Sequence, residues 1–179
     1  MTAQFGTRPA SSPLPGTPAP FFLAKGEGER AHIFDSLVTV LLSADETEGQ
    51  FGVFTLEAPA GQAIPTHSHD ADNEIFFVLD GAVRVFIQAT DGQVHSRLLR
   101  PGDFGYCPAK HLHTFRVEEH ARMLGVNTGG FERFFAAAGT PTDSRELPEP
   151  PYIPTPEHLQ AAAEHFGNRF AFGVRLDES

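Results

Sequence analysis

Turn signals divide residues 37–126 into short runs that are apolar or alternating, and no helical pattern separates them. The candidate strands are Leu37–Leu42, Phe51–Leu56, Glu74–Leu79, Phe104–Cys107, His113–Val117 and Arg122–Val126. Asp80-Gly81 and Asp91-Gly92 are dipeptides typical of tight hairpins, and Pro101-Gly102-Asp103 predicts a further turn. About eight or nine short strands in roughly a hundred residues predict a mainly β protein, an antiparallel sandwich or barrel.

Two helical patterns follow the strands. The first places apolar residues at helical spacing: Phe131, Phe134, Phe135 and Ala138. The second begins at Pro156, with Thr155 as N-cap, and ends at Gly167. Either helix could cover the outside of the barrel or bring its apolar face over the barrel mouth, and the sequence leaves both open.

Composition divides the chain into three parts. Residues 1–20 are rich in proline and predict an extended arm. Residues 21–128 hold the strands of a β-barrel, and residues 129–179 form a helical C-terminal extension that we expect to pack on that barrel. The 179 residues suit one domain with appended elements.

Charge and cysteine content exclude several classes of protein. The formal net charge of −10 argues against binding to nucleic acid or to an anionic membrane surface. Cys107 is the single cysteine, so no internal disulfide forms. No signal peptide and no apolar run of membrane-spanning length is present, which predicts a soluble cytoplasmic protein.

The aromatic residues are almost all phenylalanine: the chain has 17 Phe, two Tyr and no Trp. Phe fills space without needing a hydrogen-bond partner. The chain is therefore expected to contain a thick apolar core, an apolar ligand cavity, or both.

Two of the nine histidines have the spacing of metal ligands. Residues i and i+2 of a strand point to one face, so His67 and His69 can offer two imidazoles to one point. Glu74 is an odd number of residues from His69, so on a continuous strand its side chain would point to the opposite face. It joins the histidines only if residues 70–73 form a loop, and the polar composition of that stretch predicts a loop. Two imidazoles and a carboxylate suit borderline divalent metals. His113 lies in a second cluster, after another turn, with Phe115 and Val117 on its face.

The two clusters resemble the two motifs of the cupin family. The first runs Gly61-(x5)-His67-x-His69-(x4)-Glu74-(x6)-Gly81 and matches at each defined position. The second runs Gly102-(x5)-Pro108-x-Lys110-(x2)-His113-(x3)-Val117. Lys110 stands where the family usually has Gly, and Val117 where it usually has Asn. A side chain at a turn position that needs positive φ costs about 1 kcal/mol.

The resemblance implies a double-stranded β-helix, or jelly-roll barrel, and a metal centre. Its ligands would be His67, His69, Glu74 and His113. It implies one divalent transition metal per chain, with nickel favoured and cobalt, manganese, iron or copper also used in the family. It further implies a homodimer.

Within the cupins, the chain is most similar to the single-domain bacterial quercetinases, which open the central ring of a flavonol with O2 and release carbon monoxide and a depside. The resemblance implies that Glu74 is also the catalytic base, taking the proton of the metal-bound 3-hydroxyl. Phe76 follows Glu74 by two residues and Phe115 follows His113 by two, so each should point to the same face of its strand as that ligand. Both are expected to form walls of the substrate cavity. Met123 is a further candidate, with ordinary core packing as its alternative.

Two other functions remain open from sequence. Another metal-dependent cupin enzyme, such as an isomerase, a decarboxylase or a different dioxygenase, would share the four ligands and differ in its pocket. A non-catalytic cupin would bind a small molecule.

Asp70 and Asp72 are expected to be solvated in their loop, His111 to lie in a loop near the rim of the site, and Cys107 to be a buried apolar residue. The remaining histidines are not spaced from another candidate ligand as metal ligands would be: His32, His95, His120, His158 and His165.

Overall fold

The computed structural model describes residues 12–178, and β-strands dominate them. The strands within these residues are β1 (Glu29–Ile33), β2 (Ser36–Leu42), β3 (Phe51–Ala58), β4 (His67–His69), β5 (Glu74–Gln88), β6 (Val94–Leu99), β7 (Phe104–Cys107), β8 (His113–Thr128), β9 (Thr140–Pro141) and β10 (Asn168–Phe170). The helices are α1 (Glu132–Ala138) and α2 (Pro156–His165), with a 3₁₀ turn at Leu176–Glu178. The fold is mainly β, as predicted, with both helices in the C-terminal part of the chain.

The long strands β5 and β8 join the two histidine-bearing segments. The first half of β8 pairs antiparallel with residues 82–87 of β5, and its second half lies between β3 and residues 74–78 of β5. His67 of β4 is in register with His113 at the start of β8, and β10 pairs with the other edge of β4. This pairing brings the first motif against the second.

The hairpin predicted at Asp80-Gly81 is wrong. β5 continues through this dipeptide, and its register with β8 shifts between Val78 and Val83. Gly81 has φ of 75°, and a Cβ there would clash with the carbonyl oxygen of His120 and lie 2.7 Å from Cα of Ala121. The glycine is required by a bulge and by the close approach of β8. The predicted turns at Asp91-Gly92 and Pro101-Gly102 are confirmed.

Both predicted helices are present. The Thr155 side chain accepts a hydrogen bond from the backbone N–H of His158, 3.2 Å away, and so caps α2. The ring of Phe166 lies 6.4 Å from that of Phe134, which packs α2 on α1. No helix in the described part of the chain is long and apolar enough to span a membrane.

Most of the predicted proline-rich arm, residues 1–11, lies outside the described residues. The remainder contacts the barrel: Leu14 is buried, and the backbone N–H of Gly16 donates to Oε1 of Glu46, 2.6 Å away. The Ser12 hydroxyl hydrogen-bonds the Glu29 carboxylate, which also pairs with Arg133 of α1. This polar network holds the arm, β1 and α1 together.

Candidate metal centre

Four buried side chains converge where β4, β5 and β8 meet. They are His67, His69, Glu74 and His113, and one ligand atom from each lies within 4.8 Å of all the others. His67 and His69 point to one face of β4 because they are two residues apart. Residues 70–73 form the predicted loop, so Glu74 begins β5 already turned toward the histidines. The pairing of His67 with His113 adds the fourth side chain.

Backbone carbonyls orient two of the imidazoles. Nδ1 of His67 donates to the carbonyl of Pro65, 2.9 Å away, and Nδ1 of His113 donates to the carbonyl of His111, 3.0 Å away. A carbonyl oxygen can only accept, so each bond fixes the proton on Nδ1 and leaves Nε2 for the cluster. Outer hydrogen bonds of this kind are usual for metal-binding histidines.

The donor set fits a divalent metal. Nε2 of His113 lies 3.1 Å from Oε2 of Glu74, and Nε2 of His69 lies 3.4 Å from the same oxygen. Neither ring nitrogen of His69 has a hydrogen-bond partner, although the residue is only 2% exposed. A buried polar atom without a partner is costly, and a coordinated cation would satisfy it. Three imidazoles and one carboxylate suit nickel, cobalt, manganese, iron or copper.

Burial and mutual contacts set the charge states of the cluster. The pKa of His67 is lowered well below its ordinary value, chiefly because burial removes water from the imidazolium and next because His113 and His69 would place positive charge beside it. Burial alone would raise the pKa of the Glu74 carboxyl, but the imidazoles of His113 and His69 beside it outweigh burial and hold that pKa below its usual range. A neutral imidazole and an ionised carboxylate are the metal-binding forms.

The turn before β8 supports the cluster at Lys110. This residue has φ of 69°, so the position is left-handed, as expected where the family has Gly. Its backbone N–H donates to the carbonyl of His69, 2.8 Å away. The strained turn therefore ties the second motif to a ligand strand of the first.

An apolar cavity opens on the cluster. His67 and Glu74 form part of its wall, and Phe76, Phe115 and Met123 also line it. These three side chains are buried, at 3–4% exposure. Their even spacing from the ligands along the strands therefore points their side chains to the face of the sheet that the ligands occupy. Among the described residues that line this cavity, none is Lys or Arg, and Glu74 is the single carboxylate.

The C-terminal extension supplies walls that the sequence did not assign. The added lining residues are Phe131, Phe134 and Phe135 around α1, and Asn168 and Phe170 of β10. The ring of Phe131 lies 4.2 Å from that of His69, in an edge-to-face arrangement. The helical spacing of the phenylalanines indicated an apolar face, and the structure places that face over the cavity.

Two polar cavity residues were also missed. Ser36 and Gln62 line the cavity from β2 and from the segment before β4, and neither has a spacing or motif that marks it in sequence. They are adjacent only because the barrel brings together residues that are 26 positions apart.

The other predicted positions are mostly as expected. His111 lies in a loop and Cys107 is buried. The prediction that Asp72 is solvated is wrong: the side chain is 6% exposed, and burial raises its pKa to about 6. The loop folds inward there because Gly129, with no side chain, leaves room for the Asp72 carboxylate.

Comparison with known proteins adds sequence relatives. A family model described as a cupin domain matches residues 54–127. The quercetin 2,3-dioxygenase of Bacillus subtilis is 36% identical over 137 residues, 75% of this chain and 39% of that protein. The quercetin 2,3-dioxygenase of Aspergillus japonicus is 30% identical over 59% of this chain and 31% of that protein. The chain thus spans 31–39% of the length of these relatives.

Solved structures share the fold at low sequence identity. KdgF from Halomonas sp. superposes with a TM-score of 0.53 and 17% identity, over 62% of this chain and 94% of that one. A variant of oxalate decarboxylase from Bacillus subtilis superposes with a TM-score of 0.54 and 17% identity, over 66% of this chain and 32% of that one. These likenesses concern the barrel alone.

Proposed function

This chain contains a cupin domain at residues 54–127, and from that premise we propose that it is a metal-dependent dioxygenase that opens the central ring of a flavonol such as quercetin with O2. The reaction releases carbon monoxide and a depside. The observation that carries the proposal is a buried three-histidine, one-carboxylate cluster at the wall of a cavity lined by aromatic side chains. Two quercetin 2,3-dioxygenases among its relatives support it.

The cavity lining favours a flat, neutral substrate. Phe76, Phe115 and Phe131 present apolar ring surface, which matches a planar aromatic molecule. A sugar acid or a dicarboxylate would need a cationic side chain to neutralise its charge, and the described lining offers none. This observation favours a flavonol over the small anionic substrates of other metal-dependent cupin enzymes.

Each residue has a defined task in this reaction. A divalent metal, when bound, supplies a Lewis acid that lowers the pKa of a coordinated hydroxyl. The three histidines would hold it, and the carbonyl partners of His67 and His113 direct the Nε2 of these two rings toward it. The Glu74 carboxylate, ionised and on the cavity wall, accepts the proton of the flavonol 3-hydroxyl. The phenylalanines exclude water and hold the ring plane, so the electron-rich flavonolate meets O2 in an apolar space.

The direct test is turnover. Protein loaded separately with nickel, cobalt, manganese, iron or copper is mixed with quercetin in air, and loss of the flavonol absorbance is followed together with carbon monoxide release. At least one metal form should give both signals. If no metal form consumes any flavonol, the proposal is wrong and another cupin reaction takes its place.

Glu74→Gln tests the base. It keeps the size of the side chain and one oxygen that can bind a metal but loses the proton acceptor. Metal content should stay near one per chain, while turnover should fall by about 10²- to 10⁴-fold, the usual value of general base catalysis. Under nitrogen, the red-shifted band of the bound flavonolate should be missing. Glu57→Gln, on the other face of the sheet, is the control, and wild-type turnover in Glu74→Gln would remove the base role.

A further inference from the structure

The apolar cavity contains one neutral polar pair away from the metal ligands. The hydroxyl of Ser36 donates to Oε1 of Gln62, 2.9 Å away, and accepts from Nε2 of Gln62, 2.8 Å away. Ser36 is 2% exposed and Gln62 is 6% exposed, and both line the cavity among Ile33, Phe34 and Leu56. Placing two polar side chains in such surroundings costs free energy unless they hydrogen-bond.

The backbone of Gln62 lies four residues along β8 from the register position of the metal ligands. The segment that carries it runs beside β8: the carbonyl of Gln62 accepts from the N–H of Val117, and His67 pairs with His113. Four residues of a strand span about 13 Å. Phe115 lies midway and lines the cavity. A flavonol that reaches the metal centre with the 3-hydroxyl of its central ring would therefore extend one of its outer rings toward Ser36 and Gln62.

The pair keeps unused hydrogen-bonding capacity. An amide has two N–H donors and two lone pairs on its oxygen, and a hydroxyl has two lone pairs. The two internal bonds use one amide N–H, one amide lone pair, the hydroxyl proton and one hydroxyl lone pair. One N–H donor and two acceptor lone pairs remain, with no other side-chain hydrogen bond to them among the described residues. Such a neutral group both donates and accepts, as a phenolic hydroxyl requires.

We propose that Ser36 and Gln62 form the specificity pair that binds a phenolic hydroxyl on an outer ring of the substrate. This inference rests on the proposed flavonol substrate of the same cavity. The pair touches the substrate without taking part in the bond changes. Its effect is to favour hydroxylated flavonols over flavonols whose outer rings carry no hydroxyl, because the latter leave the remaining donor and acceptors unpaired.

The test compares two substrates on matched variants. Quercetin carries hydroxyls on both outer rings, whereas 3-hydroxyflavone carries none there. Gln62→Met keeps the length of the side chain and removes its amide, and Ser36→Ala removes the hydroxyl. Each variant should lower kcat/KM for quercetin about tenfold, the worth of one neutral hydrogen bond, mainly through KM. Turnover of 3-hydroxyflavone should not fall, because this substrate makes no hydrogen bond to the pair, and metal content should stay within twofold of wild type.

A control separates recognition from loss of shape. Ile64→Val changes an apolar wall residue and should affect both substrates by the same factor. Equal losses for both substrates in Gln62→Met and Ser36→Ala would overturn the proposal, and so would no loss for either. Galangin, which has hydroxyls on the A ring and none on the B ring, identifies the ring that is bound.

Failure of this inference can be told from failure of the proposed function. If the wild type turns over neither flavonol, the proposed function is wrong. Equilibrium binding of quercetin and 3-hydroxyflavone, measured by absorbance under nitrogen, then tests the pair by itself. Loss of the preference for quercetin in both variants supports the pair, and an unchanged preference overturns it.

Discussion

At the scale of single residues, the orientation of each imidazole matters more than its presence. His67 and His113 are held by carbonyl oxygens two residues before them, so the local chain path selects the nitrogen that faces the cluster. His69 has no such partner, and packing against the ring of Phe131 fixes its position instead. A substitution that removes any one ligand therefore leaves the others aligned but able to hold a cation only less tightly.

Alanine at each ligand position tests this arrangement. His67→Ala, His69→Ala and His113→Ala should each lose most of the bound metal, because three remaining donors hold a divalent ion less tightly than four. Elemental analysis of protein purified with one added metal measures the effect. His95→Ala, at an exposed position on β6, should keep about one metal per chain. Full retention in His113→Ala would show that β8 contributes no ligand.

At the scale of elements, α1 is joined to the barrel through its first residue. Glu132 is fully buried, and its Oε1 accepts from the backbone N–H of Ala44, 2.8 Å away. Its Oε2 has no partner, and Gly52 leaves the space that the carboxyl fills. Burial raises the pKa of this carboxyl above its ordinary value of 4.5. The helix that carries the cavity phenylalanines is thus attached to the barrel through a buried ionisable group, one oxygen of which has no hydrogen-bond partner.

The Glu132→Gln variant should show the pH dependence of that attachment. A folded-state pKa above the unfolded one means that the folded chain keeps a proton which the unfolded chain releases. Stability from Glu132 is present below about pH 4.5 and is lost as the pH rises through the folded-state pKa. The free energy of unfolding of wild type minus that of the variant should therefore fall as the pH rises above about 4.5, as measured in urea. A constant difference would mean that the pKa is not raised.

The bulge in β5 gives a second prediction for an element. Gly92→Ala should cost about 1 kcal/mol, because φ there is 87° but the surroundings are open. Gly81→Ala should cost clearly more, because its Cβ would also meet the backbone of His120 and Ala121. Urea unfolding of both variants measures the difference. Equal losses would show that backbone conformation alone selects glycine at position 81.

At the scale of the whole molecule, the cluster connects parts of the chain that are far apart in sequence. Its ligands come from β4, β5 and β8, and Phe131 and Phe170 of the C-terminal extension pack beside them. A ligand that binds only the folded state stabilises it by mass action. Metal binding should therefore stabilise the barrel and its extension together.

Chelation tests this coupling. Removing the metal should lower Tm, with α1 and the barrel unfolding in one transition, as followed by calorimetry and circular dichroism. Returning one divalent metal per chain should restore Tm. His113→Ala is the matched control, since its Tm should respond little to the chelator. A wild-type Tm that is indifferent to chelation would contradict a buried structural role for the ion.

Three of the four cluster residues were accessible from a local sequence signal, whereas His113 was implied by the resemblance of its segment to the second cupin motif. The i, i+2 histidines, the polar loop and Glu74 lie within eight residues, and strand geometry dictates their common direction. The bulge at Gly81 was misread because the same dipeptide suits a hairpin and a close approach between strands. Ser36 and Gln62 could not be found, since common residue types acquire meaning only when folding brings them into contact. The same holds for Asn168, which reaches the cavity through the pairing of β10 with β4.

The division of the cavity wall has a consequence for how such a chain diversifies. The four ligand positions lie between residues 67 and 113, whereas Phe131, Phe134 and Phe170 follow the segment that matches the cupin domain. Drift or recombination after residue 127 can therefore remodel what the cavity admits while the ligand cluster is inherited unchanged. A laboratory library confined to these aromatic positions would vary the cavity wall around a constant ligand cluster.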